Sequence, residues 1–313
     1  MDPRAFCTST RVLIVAGKGG VGKTTVSAAV ARMAAGLGVR TLLIEIEGRS
    51  GLASLFGGSG ALDYNERELS PNVLARTLTP DDALIEYLNA HGLRRISKRL
   101  IKTGAIDVVA TAVPGIKDIL VLGKVKQIER NVPTVDLVVV DAPAAGHAVQ
   151  FLRSAHGLLD AVRVGPIRTQ AQEVADLLSD PVRTRVMLVT LPEETPVNEL
   201  VETAYALEDT VGVKLAPIVV NGVYPPLDGL DIDPAVAAAK EGVTLGAGEA
   251  KALAAAAGFR RQRQELQAAQ LERLAEALPL PQLQLPYLFA DRLGPPELDL
   301  LTAALTDAVK ASR

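Results

Sequence analysis

A glycine-rich turn between an apolar strand and a helix constrains the fold of this chain more than any other feature. Residues 12–15 (VLIV) are apolar and mostly β-branched, which is typical of a buried strand. Residues 16–25 (AGKGGVGKTT) match the pattern G-x-x-x-x-G-K-[S/T], and apolar residues recur at helical spacing from Val26 to Leu37. Further strand–helix pairs follow along the chain. The sequence therefore predicts an α/β fold with a doubly wound, mostly parallel sheet.

The same turn has the composition of a phosphate-binding site. Its glycines let backbone N–H groups converge on an anion, and the N-terminus of the following helix adds partial positive charge. Lys23 is predicted to reach the β- and γ-phosphates of a nucleotide, and the hydroxyl of Thr24 is predicted to ligate Mg²⁺. A tight turn without a ligand is the alternative interpretation. The predicted nucleotide-binding residues are Gly17, Gly19, Gly20, Val21, Gly22, Lys23, Thr24 and Thr25.

Carboxylates follow two of the predicted strands. Glu45 and Glu47 come directly after the apolar run 41–44, and Asp141 ends the run 135–140. Because the carboxyl ends of parallel strands meet at one edge of a sheet, these acids are expected near the glycine turn. Asp141 is predicted to hold Mg²⁺ through a bound water, and helix capping is the alternative role for it.

Residues 1–313 are interpreted as one domain, because no internal repeat divides the chain. Helical patterns dominate 61–133, which is predicted to be a helical subdomain within that domain. Turn residues are frequent in 224–248, which is predicted to be a flexible loop. Further strands are predicted at 185–190, 215–220 and 282–287, and further helices at 249–278 and 296–310.

Composition argues against several classes of function. A net charge of −3, a pI near 5.8 and 3% aromatic residues argue against a nucleic-acid partner. The chain has no apolar run of about 18 residues and no apolar signal core, so stable membrane insertion is not expected. A soluble, cytoplasmic protein is predicted. Cys7 is the single cysteine, so an intrachain disulfide is excluded and an inert thiol is expected.

Several motifs together resemble those of the ArsA/GET family of dimeric ATPases, a MinD/ArsA-like branch of the P-loop NTPases. The turn contains an extra lysine, Lys18, as in the deviant phosphate-binding loop (deviant Walker A) of that class. Segment 141–152 (DAPAAGHAVQFL) resembles the family's switch II string, with its proline one position early. Further segments resemble the family in the same order: 114–118 (PGIKD), 190–195 (TLPEET), 220–221 (VN) and 285–289 (LPYLF).

The resemblance implies a switch protein that binds ATP or ADP with Mg²⁺ and hydrolyses ATP. Lys18 would reach across a dimer interface to the partner's phosphates, and a solvated charge is the alternative role for it. The dimer would be a homodimer or a heterodimer with a paralogous ATPase, and its nucleotide state would be coupled to an unidentified protein client. The residues that would contact or cover the adenine base are Asn221, Pro286, Tyr287 and Leu288.

The chain departs from the family at the residue that positions the attacking water. Glu47 occupies the position of the family's Asp, and a carboxylate displaced by about an ångström can slow hydrolysis about a hundredfold. One interpretation is a slow ATPase with Lys18, Lys23 and Glu47 as its catalytic residues. A second is a non-hydrolysing structural subunit that pairs with an active paralogue. A third is a MinD-like membrane-associated ATPase, although residues 296–313 carry few cations.

Overall fold

The computed structural model of the protein describes residues 1–46, 51–90, 92, 94, 95 and 115–312. The strands in chain order are β1 (Val12–Gly17), β2 (Thr41–Ile46), β3 (Arg67–Ser70), β4 (Val73–Leu78), β5 (Leu137–Ala144), β6 (Thr184–Thr190), β7 (Ile218–Val223) and β8 (Gln282–Pro286). The helices are α1 (Pro3–Cys7), α2 (Lys23–Gly36), α3 (Leu52–Leu55), α4 (Pro80–Ala90), α5 (Ile116–Asn131), α6 (Ala145–Ala161), α7 (Pro166–Ser179), α8 (Glu194–Val211), α9 (Pro234–Lys240), α10 (Glu249–Ala277) and α11 (Pro295–Ala311).

The described strands form one eight-stranded sheet in the order β3-β4-β2-β5-β1-β6-β7-β8. The neighbouring strands are parallel except for β3 and β4, which pair antiparallel. From β1 at the centre, the chain builds outward in both directions across the sheet. This topology confirms the predicted α/β fold with a doubly wound, mostly parallel sheet.

Successive residues of a strand point to opposite faces of the sheet, and helices cover both of these faces. In β1, Ile14 packs into a core with α5, α6, α7 and α8. Leu13 packs on the opposite face, in a second core with α2 and α11. All of β1 is buried, as expected for a central parallel strand. The glycine turn therefore starts from a fully buried strand inside the sheet.

The segment 61–133 differs from its prediction, because it contains strands as well as helices. β3 and β4 lie within it and extend the main sheet beyond β2. β4 is almost entirely buried, and a short strand covered on both faces does not show the alternation that would identify it in a sequence. Helices α4 and α5 lie in the same segment, and residues 96–114 lie outside the described ranges.

The later elements agree with their predictions, since β6, β8, α10 and α11 lie at or near the expected positions. The segment 224–248, predicted to be a loop, contains the short helix α9. Asp233 caps this helix by accepting from Ala235 and Val236, and a proline occupies its first turn. Across the described ranges, no helix has the length and apolar character needed to cross a membrane.

Candidate functional site

The glycine turn leaves β1 at Gly17 and enters α2 at Lys23. Gly20 and Gly22 adopt left-handed backbone conformations, with φ angles of 86° and 93°. Side chains would strain both positions, so the turn depends on glycine there. Gly22 is also the N-cap residue of α2 and has no side chain to cap the first N–H groups of the helix. Backbone donors at a helix N-terminus are suited to binding phosphate.

Two close contacts hold the turn against neighbouring strands. A Cβ atom on Gly17 would lie 2.3 Å from the carbonyl oxygen of Val189 in β6, and one on Gly22 would lie 2.3 Å from Nδ2 of Asn221. Nδ2 of Asn221 donates to the carbonyl oxygen of Val21 at 2.9 Å. The residue predicted to contact adenine is therefore located at the turn, where it braces the backbone.

Lys23 is partly buried and folds back over the turn. Its ammonium group donates to the carbonyl oxygen of Lys18 at 3.1 Å. Burial lowers the pKa of Lys23, and the carboxylate of Asp141 opposes that shift. A phosphate bound in the turn would add the negative charge that favours this partly desolvated ammonium.

Thr24 and Asp141, the two predicted magnesium residues, are in direct contact. The Thr24 hydroxyl donates to Oδ2 of Asp141 at 2.6 Å, and Ser27 donates to Oδ1 at 3.4 Å. Burial raises the pKa of Asp141 to about 6, while the Thr24 hydrogen bond and the Lys23 charge oppose the shift. A hydroxyl and a carboxylate in contact are hard oxygen donors, which fit Mg²⁺.

Lys18 is held by an acidic residue of its own chain. Its Nζ lies 2.6 Å from Oε1 of Glu199 on α8, and both side chains are 39% exposed. Ion pairs with this exposure contribute about 0–1 kcal/mol, so a more highly charged anion can displace Glu199. Lys18 thus has a partner on α8 and still lies at the surface.

The segment predicted to cover the base lies beside the end of β7. The N–H of Tyr287 donates to the carbonyl oxygen of Val223 at 2.8 Å. The ring of Tyr287 meets Tyr224 edge to face, with the ring centroids 5.0 Å apart. Pro286 ends β8, and Leu288 packs against the core that contains α2. The structure thus brings 286–288 next to the turn after β7.

Comparison with known proteins decides the family of this chain. Residues 10–163 match the family model described as anion-transporting ATPase. The ATPase BagA of Mycobacterium tuberculosis is 34% identical over 231 residues, which cover 70% of this chain and 66% of that protein. The chain belongs to the anion-transporting ATPase family. This result agrees with the ArsA/GET resemblance of its motifs.

Two further relatives share a lower sequence identity with this member of the anion-transporting ATPase family. The arsenical pump-driving ATPase of Escherichia coli is 26% identical over 241 residues, which cover 68% of this chain and 39% of that protein. The ATPase get3 of Schizosaccharomyces japonicus is 29% identical over 148 residues, or 46% of this chain and 44% of that protein. The chain thus spans 66% of the length of the mycobacterial relative and less than half of the other two.

The sequence of this ATPase family member also singles out two glutamates and its one cysteine. Glu47 lies outside the described residues. Glu45 is buried at the end of β2 and accepts a hydrogen bond from Thr77 at 3.2 Å, so it lies within the sheet. Cys7 is buried, and burial raises the pKa of its thiol to about 12, which favours the interpretation of an inert thiol.

Two residues near the site were not found by reasoning from the sequence. Glu199 binds Lys18, and Gln267 on α10 is buried against the turn after β7. Neither residue belongs to a local pattern that indicates its role. Gln267 lies among other glutamines in the run QRQELQAAQ at 262–270, so composition does not distinguish it from its exposed neighbours.

Proposed function

We propose that the protein is a Mg²⁺-dependent switch ATPase of the ArsA/GET type that binds ATP, hydrolyses it slowly and acts as a dimer. The observation that carries the proposal is the convergence of the glycine turn, Lys23 and the Thr24–Asp141 pair. They meet at the carboxyl edge of the sheet, where parallel α/β sheets bind their ligands. The names of the relatives, each of them an ATPase, support the same activity.

The turn would hold the triphosphate through backbone N–H groups and Lys23. In the structure Lys23 donates to the carbonyl oxygen of Lys18. A phosphate oxygen is a stronger acceptor, so the Lys23 ammonium would donate to the phosphate instead. Thr24 would ligate Mg²⁺, and Asp141 would accept a hydrogen bond from a water on the metal. Bound Mg²⁺ would neutralise charge on the phosphates. With a pKa of about 6, the Asp141 carboxyl is mostly ionised at neutral pH and can accept this bond.

The position of Lys18 supports the proposal of a dimer. Its ammonium pairs with Glu199 on α8 instead of with a group in the glycine turn. It is also exposed at the edge of the sheet where the nucleotide would bind. We propose that the phosphates of the partner subunit's nucleotide displace Glu199 and form an ion pair with Lys18. The partner would be a second copy of the chain or a paralogous ATPase.

Titration of the purified protein with ATP and Mg²⁺, with phosphate release and self-association measured in parallel, tests this function. The wild-type protein is expected to bind ATP, release phosphate slowly and self-associate. In Lys18→Ala, ATP affinity should stay within about threefold of the wild type, because the Lys18 charge acts on the nucleotide of the other subunit. Self-association should be lost, and the rate of hydrolysis should fall at least about tenfold. Lys214→Ala, which removes an exposed lysine elsewhere, is the matched control. Failure of the wild type to bind ATP would contradict the function, and an equal loss of affinity and hydrolysis in Lys18→Ala would contradict the dimer.

We propose that α6 and α5 transmit the structural change caused by nucleotide binding to a protein partner. Helix α6 follows β5 directly and packs against α5. A Cβ atom on Gly115 would lie 3.3 Å from Cβ of Ser154, so α5 begins in close contact with α6. A shift of 141–147 on binding of the γ-phosphate would therefore move α5, within the predicted subdomain 61–133. An unidentified protein partner is proposed, since one relative is named for driving an arsenical pump.

The alternative is a non-hydrolysing structural subunit, and Glu47 is the residue that favours it. Glu47→Asp is expected to raise the rate of phosphate release by up to about a hundredfold, because the shorter side chain restores the carboxylate position of the family. Steady-state phosphate release at saturating ATP measures this change. A lower rate in Glu47→Asp would mean that Glu47 itself positions the water. ATP binding without hydrolysis by either protein would favour the structural subunit.

A further inference from the structure

Gln267 is a buried polar side chain on a helix that is otherwise mostly exposed. It is 4% exposed, and the other buried residue of α10 is Leu274. Oε1 of Gln267 accepts from the N–H of Tyr224 at 2.8 Å, and Nε2 donates to the carbonyl oxygen of Gly222 at 3.1 Å. The donor and the acceptor of this one amide therefore hold the end of β7 and the first residue of the turn that follows it.

Asn221 lies in β7 directly before Gly222, and the orientation of its amide is determined by Val21. The carbonyl oxygen of Val21 can only accept, so the nitrogen of the Asn221 amide must face it. Oδ1 then lies on the other side of the amide as an acceptor. Adenine presents an amine donor at N6, whereas guanine presents an acceptor at O6. An amide whose Oδ1 faces the base matches adenine and repels guanine.

The same turn also supports the segment predicted to cover the base. The ring of Tyr224 packs against Tyr287, and the carbonyl oxygen of Val223 accepts from the N–H of Tyr287. Arg260, seven residues before Gln267 and on the same side of α10, lies over the Tyr224 ring at 4.4 Å and donates to Pro225 at 2.9 Å. Helix α10 therefore holds the turn at successive positions, and Gln267 is the buried one.

We propose that Gln267 is a positioning residue that gives the nucleotide site its preference for adenine. The inference rests on the proposed function, because it assumes that a nucleotide binds in the glycine turn. Without Gln267, the part-buried carbonyl of Gly222 and N–H of Tyr224 lose their partners, and the turn relaxes to satisfy them elsewhere. Gly222 has a φ of 72° and permits such rearrangement. Asn221 precedes Gly222 in the chain, so this rearrangement moves Oδ1 of Asn221 relative to the base while Nδ2 still donates to Val21. The distinction between the two bases then weakens.

Binding of ATP, GTP and inorganic tripolyphosphate to wild type and Gln267→Met tests this role. Methionine keeps the length of the side chain and removes both hydrogen bonds. The wild type is expected to prefer ATP over GTP by at least about tenfold, and Gln267→Met should lower that ratio about tenfold. Affinity for tripolyphosphate, which has no base, should stay within about twofold, since Gln267 does not contact the glycine turn. Gln262→Met, at an exposed position of the same helix, is the matched control.

A second variant keeps the packing and one of the two hydrogen bonds. Gln267→Glu retains an acceptor for Tyr224 but has no donor for Gly222 and sets a buried carboxylate oxygen against its carbonyl oxygen. The ATP/GTP ratio should therefore fall at least as far as in Gln267→Met. An unchanged ratio in both variants, or an equal loss of tripolyphosphate and ATP affinity, would overturn the inference. A wild-type protein that binds none of the three ligands would instead overturn the proposed function. Tripolyphosphate binding also shows that each variant is folded.

Discussion

Replacing Lys23 with alanine is expected to weaken ATP binding by about a hundredfold to a thousandfold. Lys23 is partly buried, and its ammonium sits against the carbonyl of Lys18 within the glycine turn. A charged group that binds phosphate from a partly desolvated position contributes more than an exposed lysine, and removing one partner of such a contact costs about 2–5 kcal/mol. Calorimetric titration with ATP and Mg²⁺ measures the loss.

The folded state of Lys23→Ala should be at least as stable as the wild type. Burial lowers the pKa of Lys23, so the folded protein holds this charge at a cost that the Asp141 carboxylate and the hydrogen bond to Lys18 offset only in part. The melting temperature without ATP should therefore not fall, while the increase in melting temperature that ATP produces should disappear. Lys251→Ala, at an exposed position on α10, serves as the control. If Lys23→Ala bound ATP as tightly as this control, the glycine turn would not be a phosphate site.

The glycine turn and Asp141 could be predicted because the local sequence encodes each of them. An apolar run, a set of glycines and a helical pattern are contiguous at 12–37, so no tertiary information is needed to place Lys23 and Thr24. The run 135–140 marks a buried strand just as clearly. The rule that parallel strands share a carboxyl edge then places Asp141 near the turn, and the structure pairs Asp141 with Val15 of β1.

The partners that position these residues could not be predicted, because they come from distant parts of the chain. Glu199 lies 181 positions from Lys18, and Val21 lies 200 positions from Asn221. Which exposed acid or which of several glutamines makes such a contact depends on how α8 and α10 pack on the sheet. β4 was missed for a related reason, because burial on both faces removes the alternation that marks a strand.

Gly17→Ala is expected to destabilise the protein by about 3 kcal/mol, or roughly 150-fold in the folding equilibrium. A Cβ atom at this position would lie 2.3 Å from the carbonyl oxygen of Val189 and 3.2 Å from Cγ2 of Val21. Gly17 and Val189 are register partners in β1 and β6, so the oxygen belongs to the backbone of a central strand. It cannot rotate away as a side chain could, and the two strands must separate at their carboxyl ends. Urea unfolding followed by circular dichroism measures the change.

Gly36→Ala is the matched control, because it makes the same substitution where there is space. Gly36 is the last residue of α2, and a Cβ atom there would meet no atom within 4 Å. Both substitutions reduce the entropy of the unfolded chain, by about 0.4–1 kcal/mol, so Gly36→Ala should be neutral or stabilising. The difference between the two variants then isolates the contact with β6. If Gly17→Ala were as stable as Gly36→Ala, the glycine turn would not be pressed against β6. The glycine at position 17 would then be needed for the approach of phosphate rather than for the packing of the sheet.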